Sequence, residues 1–290
     1  MRVIDAHTHW YPPSVSENPE AWANGVGETY WGKLVGRRAD LKPSLQAFPS
    51  IDKFLRDMDE AQVERAVILG WYWQNSSTSD ALNSEIIRFV NAHSDRFSAF
   101  ASVNPADSDF EIKLKNAREM GFCGVGELHD KIQGFDFLSP QFCDFCELCA
   151  KLNFPINVHL SDPRGKDYPN KALTSNSSAY ASAAKNPNTK FIFAHFGGGD
   201  VFEPGFEFLE NVYYDCAANT FLYKDRALAE MEEKLAKKMI FGSDYPLRLY
   251  PRKFADCEMS EFKKSAERAV DEKFAKGFFA GNFESLYLPH

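Results

Sequence analysis

The chain has 290 residues, with 33 Lys and Arg against 41 Asp and Glu and a formal net charge of −8 at pH 7. This acidic balance argues against nucleic acid as a partner, because a protein that binds a phosphate backbone needs a basic face. No apolar run approaches the length of about 18 residues that a membrane span requires, and the length suits one α/β barrel of about 250 residues.

Cysteine usage and the N-terminal sequence favour a cytoplasmic protein. Arg2 leads directly into an apolar strand pattern, which is unlike a secretory signal. We therefore interpret the six cysteines as free thiols in a reducing compartment. Cys143, Cys146 and Cys149 resemble a metal-binding spacing, but they lie within an apolar helical pattern, which favours buried cysteines that pack as small hydrophobic residues.

Short β-rich runs alternate with helical patterns along the chain. The predicted strands are Arg2–His9, Glu64–Trp71, Phe97–Val103, Phe122–Leu128, Phe154–Leu160, Lys190–His195, Asn211–Cys216 and Lys238–Asp244. The predicted helices are Ile51–Gln62, Asp80–His93, Phe110–Met120, Pro140–Leu152, Ser178–Lys185, Asp225–Lys237 and Ser260–Gly277. Apolar strands that alternate with helices are typical of a parallel sheet, so we predict a (β/α)8 TIM barrel in a single domain, residues 1–290.

A doubly wound open sheet is the alternative fold. It is disfavoured because neither a GxGxxG motif nor a Walker loop follows a predicted strand. One segment, Tyr11–Ser50, interrupts the alternation after the first strand and is rich in proline, glycine and aromatic residues. Because long loops in compact domains are usually functional, one interpretation is a lid-like insertion over the end of that strand. The other is a surface excursion that packs its aromatic side chains on the barrel.

Residue types that bind metal ions follow five of the predicted strands, at the end of the barrel where such enzymes carry their active sites. On the first strand His7 and His9 share one side, because side chains at i and i+2 point the same way. The others, each after a different strand, are Glu127, His159, His195 and Asp244. Singly, each has an ordinary alternative, such as a hydrogen-bonded rim residue or a helix cap. Together they predict a metal site.

Imidazole and carboxylate ligands suit divalent ions of borderline softness. We expect Zn²⁺ first, with Mn²⁺ and Fe²⁺ as alternatives, and either one or two ions. Such an ion lowers the pKa of a bound water and polarises a carbonyl group. In this interpretation Asp244 takes the proton from the water and delivers it to the leaving group.

Five further residues near strand ends are weaker candidates for substrate binding. Arg164 and Arg248 suit a bidentate contact with a substrate carboxylate, and the alternative for each is a solvated loop arginine. Trp10, Trp71 and Tyr245 suit the wall of a pocket for an aromatic or apolar group, and the alternative is packing between loops.

The phrases IDAHTHWYP, FIFAHFGGG and MIFGSDYP, together with His159, resemble the amidohydrolase superfamily. More narrowly, they resemble its amidohydrolase-related branch, which includes relatives of aminocarboxymuconate-semialdehyde decarboxylase. The resemblance covers essentially the whole chain. It implies a metal-bearing barrel whose site lies at the C-terminal ends of the strands.

The resemblance leaves two metal assignments open. In the decarboxylase relatives, residues matching His7, His9, His159 and Asp244 hold one ion, and the residue matching His195 acts on water or substrate. In other branches a carboxylate on the fourth strand bridges two ions, and the Val-Gly-Glu-Leu around Glu127 resembles this glutamate in the deoxyribonuclease-like members. The bridged arrangement implies one ion on His7, His9 and Asp244 and a second on His159 and His195.

Because of Glu127, we predict a metal-dependent hydrolase acting on a small amide, ester or lactone, either cyclic or carboxylate-bearing, with Asp244 and His195 as catalytic residues. One alternative is non-oxidative decarboxylation of an aromatic or enol acid. Another is a barrel that binds a ligand without chemistry, which the complete ligand set disfavours. We expect a small-molecule substrate, no nucleic-acid or membrane partner, and a homodimer as a candidate assembly.

Overall fold

The structure is a computed structural model that describes residues 1–36, 44–165, 171–203, 206, 208–218, 228, 231–249 and 256–288. Its strands are β1 (Ile4–Thr8), β2 (Arg65–Ile68), β3 (Phe97–Ala101), β4 (Gly124–Leu128), β5 (Ile156–Val158), β6 (Phe191–Phe193), β7 (Val212–Asp215) and β8 (Met239–Ile240). Each strand pairs in parallel with the next one in the chain. The predicted (β/α)8 barrel is confirmed.

Backbone hydrogen bonds between the first and last strand regions close the sheet. The Asp244 N–H donates to the His7 carbonyl oxygen at 2.8 Å, and the His9 N–H donates to the Tyr245 carbonyl oxygen at 2.7 Å. Gly242 makes this approach possible, because a Cβ atom there would lie 2.7 Å from the His7 Cβ. Closure of the barrel therefore also sets the spacing between His7, His9 and Asp244.

Helices flank the strands along the described chain. They are α1 (Pro13–Ser16), α2 (Pro19–Val26), α3 (Thr29–Val35), α4 (Ile51–Glu60), α5 (Ser76–Ala92), α6 (Phe110–Met120), α7 (Asp130–Gln133), α8 (Pro140–Lys151), α9 (Asn176–Lys185), α10 (Glu233–Ala236), α11 (Ser260–Ala269), α12 (Glu272–Lys276) and α13 (Asn282–Ser285). Among the residues described, no helix combines the length and apolarity that a membrane crossing requires.

Two predicted helices differ from the structure. Most of Asp225–Lys237 lies outside the described residues, and α10 is the helix described within it. The predicted final helix Ser260–Gly277 is divided into α11 and α12. The division arises because Val270 has an extended backbone, and the Asp271 side chain then caps α12 by accepting the Lys273 N–H.

All eight predicted strands are longer than the observed ones, and three observed strands, β5, β6 and β8, end before the candidate ligand that the prediction placed within them. His195 and Asp244 have φ of +59° and +62°, which takes them out of the strand conformation. The predicted strands Lys190–His195 and Lys238–Asp244 therefore shorten to β6 and β8. β5 likewise ends at Val158, one residue before His159. His159, His195 and Asp244 therefore lie in the loops that follow β5, β6 and β8, and not in the strands themselves.

The segment Tyr11–Ser50 carries α1, α2 and α3 and has an apolar cluster of its own. Tyr11, Trp31 and Trp73 are buried there, with Trp22 and Phe48 packed against them. Ring centroids of Trp31 and Trp73 lie 5.3 Å apart. Because Trp73 belongs to the loop after β2, this packing favours the interpretation in which the segment places its aromatic residues against the barrel.

Candidate metal centre

Six predicted side chains converge at the C-terminal end of the barrel. We call His7, His9, Glu127, His159, His195 and Asp244 the histidine–carboxylate cluster. They form three overlapping triads whose ligand atoms lie within 4.8 Å of one another: His7, His9 and Glu127; His7, His195 and Asp244; and Glu127, His159 and His195. All are buried except His159, whose side chain is 14% exposed.

Glu127 lies at the middle of this cluster. Its Oε1 atom is 2.9 Å from His159 Nδ1, 3.6 Å from His195 Nε2 and 3.8 Å from His7 Nε2. Its Oε2 atom is 3.8 Å from His9 Nε2. One carboxylate therefore faces all four histidines, and it belongs to two of the three triads. A carboxylate in this position could be shared by two ions.

Asp244 faces the histidines of β1. Its Oδ1 atom lies 3.5 Å from His9 Nε2 and 3.7 Å from His7 Nε2. The Asp244 side chain is 11% exposed, against 2% for Glu127. Asp244 is thus the carboxylate of the cluster that a molecule arriving from solvent meets first.

Three histidines share one hydrogen-bonding arrangement. The Nδ1 atom of His7 donates to Asp215 Oδ2 at 2.9 Å, that of His9 to the Leu69 carbonyl oxygen at 3.3 Å, and that of His195 to the Ala217 carbonyl oxygen at 2.8 Å. In the neutral ring each bond favours the tautomer whose proton is on Nδ1 and whose lone pair is on Nε2. All three Nε2 atoms face Glu127.

The residues fit a divalent ion. Among the described residues, the buried Nε2 atoms of His7 and His9 have no hydrogen-bond partner, which is costly unless another group takes their lone pairs. Two ligands about 2.1 Å from an ion in tetrahedral geometry lie about 3.4 Å apart. The separations of 3.5 to 3.8 Å between these nitrogens and the carboxylates are close to that value.

Electrostatics of the cluster favour cations. Burial alone lowers the pKa of His7, but the charges of Asp215 and Glu127 outweigh it and raise that pKa to about 10. Burial also lowers the pKa of His195, while its hydrogen bond to the Glu127 carboxylate and the charge of Asp244 raise it to about 9. Protons therefore compensate the carboxylates in the protein without metal, and a divalent ion would displace them.

Asp244 is held in its ionised form. Burial raises the pKa of its carboxyl group, but contact with His9 and the charge of His7 outweigh burial and lower that pKa. The Glu127 pKa is lowered well below its usual value, because the charges of His159 and His7 outweigh the effect of burial. Both side chains are therefore available as anionic ligands, and Asp244 is available as a base.

A left-handed turn presents His195. His195, Phe196 and Gly197 have φ of +59°, +56° and +62°, and the Gly199 N–H donates back to the His195 carbonyl oxygen at 3.0 Å. Non-glycine residues pay roughly 1–2 kcal/mol each for this conformation. A Cβ atom on Gly197 would lie 2.3 Å from the Tyr180 hydroxyl, so a glycine is needed there.

Asp215, at the end of β7, is a functional residue that the sequence reasoning missed. Its side chain is 1% exposed, and its carboxylate accepts from the His7 ring and from the His195 backbone N–H. The sequence did contain a signal for Asp215. It is an acidic residue at the end of a predicted strand, and Glu127 and Asp244 were selected by the same criterion. His129, the residue after β4, also adjoins the cluster, with its ring stacked on His159 at 5.3 Å between centroids.

Two of the predicted substrate-binding residues lie beside the cluster. Trp71 meets the His9 ring edge-on, with 5.5 Å between centroids. Trp10 stacks on Phe89 at 4.2 Å. Both tryptophans line a small, mostly apolar cavity together with His9, Leu82 and other residues of the loops and α5. An apolar wall therefore adjoins the candidate ligand His9.

Tyr245 packs against helix α4. Its hydroxyl donates to Asp57 on α4 at 2.7 Å, and its ring packs on Phe54. These contacts favour packing, the alternative interpretation for this residue. Tyr245 therefore tethers the chain just after Asp244 to α4.

The two predicted arginines also have protein partners. Arg248 donates to the carbonyl oxygens of Ser44 and Gln46 at 3.0 and 2.9 Å, so it joins the segment after β8 to the one before α4. Arg164 donates to Asp162 at 3.1 Å and to the Gly198 carbonyl oxygen at 3.3 Å, and it pairs with Glu203. Both guanidinium groups hold the loops around the cluster.

Comparison with known proteins gives a family and several similar folds. A family model described as "Amidohydrolase" matches residues 4–287. No curated protein matches the chain.

Solved structures similar to this chain include 5-carboxyvanillate decarboxylase from Sphingomonas paucimobilis, with a TM-score of 0.71 and 14% identity over 99% of this chain and 98% of that one. A dihydroxybenzoic acid decarboxylase from Polaromonas with bound manganese and the inhibitor 2-nitroresorcinol has a TM-score of 0.65 and 17% identity, over 99% and 96%. A probable 2-pyrone-4,6-dicarboxylic acid hydrolase from Acinetobacter baumannii has a TM-score of 0.66 and 14% identity, over 99% of each chain.

Proposed function

This chain belongs to the amidohydrolase family, and we propose that it is a hydrolase that uses two divalent ions bridged by Glu127 to cleave an amide, ester or lactone bond of a small molecule. The observation that carries the proposal is the place of Glu127, whose two oxygens face the ring nitrogens of all four histidines. A centre with a single ion does not require a carboxylate in that place.

The triads divide the ligands between two positions. His7, His9 and Glu127, with Asp244 beside them, would hold one ion, and Glu127, His159 and His195 would hold the other. Members of this family bind a divalent metal. We favour Zn²⁺ for a site of imidazole and carboxylate ligands, and Mn²⁺ is the first alternative, since the Polaromonas decarboxylase contains it.

The chemistry divides between the ions and the side chains. Ions bound here would lower the pKa of an attacking water and polarise the carbonyl group of the substrate. Asp244, which is ionised and whose side chain is 11% exposed, would accept the proton of the attacking water and pass it to the leaving group. The Nδ1 bonds of His7, His9 and His195 keep their Nε2 atoms directed at the centre, so the ligands need no reorganisation during the reaction.

Trp10 and Trp71 line a cavity beside His9 of about 10 Å³, which is the space of a single water molecule. This cavity is too small for an aromatic ring. In this proposal the two tryptophans therefore form only an apolar edge of the substrate site, next to the first ion position.

Decarboxylation of an aromatic or enol acid is the second candidate, because two of the similar solved structures are decarboxylases. In that case His7, His9, His159 and Asp244 would hold a single ion and His195 would act on the substrate. The two candidates differ in the number of ions and in whether Glu127 is needed to hold them.

Metal content of a Glu127→Gln variant separates the candidates. We expect two ions in the purified wild-type chain and loss of both together in the variant, because each position loses its shared ligand. Elemental analysis measures the content, and Glu28→Gln is the matched control, since Glu28 is a buried glutamate outside the cluster. One ion per chain that persists in Glu127→Gln, with CO₂ released from resorcylate-like acids, would contradict the hydrolase. A panel of lactones, esters and amides tested on metal-replete protein identifies the bond cleaved.

A further inference from the structure

We propose that Asp215 is a positioning residue that couples the two ion positions, because its carboxylate holds the His7 imidazole of one triad and the His195 backbone of the other. This inference rests on the two-ion centre proposed above. It concerns a residue outside the histidine–carboxylate cluster, at the end of β7, which is one of the strands for which the sequence predicted no ligand.

The two oxygens of Asp215 have different partners. Oδ2 accepts from Nδ1 of the His7 ring at 2.9 Å. Oδ1 accepts the N–H of His195 at 3.0 Å and that of Ala217 at 3.1 Å. The side chain is 1% exposed, so water does not replace a lost partner. Each oxygen thus serves a different half of the centre.

A third strand adjoins the same carboxylate. Asn157 on β5 directs its Nδ2 atom at Asp215 Oδ2 from 3.5 Å. Asn157 also lies against Gly126, where a Cβ atom would come within 2.3 Å of the Asn157 carbonyl oxygen. Gly126 immediately precedes Glu127, and Asn157 lies two residues before His159. Asp215 is therefore packed among the backbones that carry the second triad as well as bonded to the first.

Because Asp215 is bonded both to His7 and to the backbone of His195, binding of an ion at one position should affect binding at the other. An ion on His7 Nε2 withdraws electron density from the ring and strengthens the Nδ1–H bond to Asp215. Asp215 then becomes more fixed, and so does the left-handed turn at His195 that Asp215 anchors. The second position is thereby organised before its own ion arrives, and its ion is bound more tightly. By reciprocity, an ion on His195 favours binding at His7.

Substitution of Asp215 by asparagine keeps the shape but removes one acceptor. If the amide oxygen keeps the two backbone N–H bonds, its NH₂ group faces His7 Nδ1. That contact favours the tautomer in which His7 Nδ1 accepts and Nε2 carries the proton, which blocks Nε2 as a ligand. If the amide is reversed, the NH₂ group instead faces the N–H of His195. Either orientation damages one ion position.

Asp5 provides a matched control. It is as buried as Asp215 and lies on β1. Its Oδ1 atom accepts two backbone N–H groups, from His7 at 3.2 Å and from Ser243 at 2.9 Å, and it makes no bond to an imidazole. In Asp5→Asn the amide oxygen can keep both bonds, so this variant replaces a buried carboxyl group near the cluster without releasing a ligand ring.

The experiment is a titration of metal-free protein with Zn²⁺ against a competing chromophoric chelator. We expect wild type to bind two ions cooperatively and Asp215→Asn to lose about 10–100-fold in apparent affinity together with the cooperativity. We expect Asp5→Asn to lose less than about threefold and to stay cooperative. Wild-type affinity and cooperativity in Asp215→Asn, or an equal loss in Asp5→Asn, overturns the coupling role.

A second measurement does not depend on metal. In ¹H NMR of the metal-free wild type, the His7 Nδ1 proton should appear far downfield because it is buried and bonded to a carboxylate, and it should disappear in Asp215→Asn. Circular dichroism verifies that the variant is folded. If wild type binds no ion, the proposed function and the coupling role both fail. If wild type binds two ions and Asp215→Asn matches it, only the coupling role fails.

Discussion

At the scale of single residues, the cluster is built from histidines that are each fixed at one nitrogen. His9 and His195 donate to main-chain carbonyl oxygens, and His7 donates to a carboxylate. Donation to a carboxylate makes the ring a stronger ligand than donation to an amide oxygen does. His7 also belongs to two of the three triads, as His195 does. We therefore expect His7 to contribute most to metal affinity.

Metal affinity should rise with pH. In the metal-free protein the pKa of His7 is raised to about 10 and that of His195 to about 9, so both rings carry a proton at neutral pH. Because an ion binds only the deprotonated ring, each proton displaced makes the affinity rise about tenfold per pH unit below these values. Isothermal titration calorimetry at several pH values, in buffers that differ in ionisation enthalpy, measures the affinity and the protons released. Binding that is independent of pH between neutrality and about pH 9 would contradict the protonated cluster.

At the scale of elements, the left-handed turn after β6 is the part most sensitive to substitution. Gly197→Ala would place a Cβ atom 2.3 Å from the Tyr180 hydroxyl at a φ of +62°. We expect a loss of stability of about 1–3 kcal/mol together with weaker metal binding at His159 and His195, because the turn orients the His195 ring. Urea denaturation and metal content measure the two effects.

Gly25→Ala is the control for that substitution. Gly25 lies within α2, and a Cβ atom there meets nothing within 4 Å. Alanine in a helix interior should raise the stability by about 0.5–1 kcal/mol and leave the metal content unchanged. Equal stability of the two variants would show that the turn at His195 tolerates a side chain.

Sequence reasoning succeeded where the periodicity of an element decides the position of a side chain. Alternation of strand and helix predicted the barrel, and the barrel places every strand end on one face, which is why His7, Glu127 and Asp244 meet. It did not predict that Tyr245 turns to α4, because the direction of a loop side chain depends on tertiary packing. It also did not give the bond between His7 and Asp215, two residues separated by 208 positions.

At the scale of the whole molecule, the ions should contribute to stability. Without them, the buried Nε2 atoms of His7 and His9 have no partner among the described residues. A ligand that binds only the folded state stabilises it by about 4 kcal/mol when its concentration is 1,000 times its Kd. We expect removal of metal by a chelator to lower the Tm by several degrees, and re-addition of Zn²⁺ to restore it, in differential scanning calorimetry.

Glu127→Gln serves as the reference for that measurement. Because this variant is expected to hold no ion, its Tm should be the same with and without the chelator. A chelator-induced decrease of equal size in wild type and Glu127→Gln would mean that the stabilising ion binds elsewhere in the molecule.

The bonds that close the barrel between His7 and Asp244 have a consequence for biosynthesis. During translation His7 emerges 208 residues before Asp215, and Asp244 follows later still. A nascent chain that has not yet reached these residues lacks the acidic partners of His7, so it would not hold the proposed ion. Such long-range pairing is also slow to form. Ion capture would then be one of the last events in maturation, and the bound ion would mark the chains whose barrels have closed correctly.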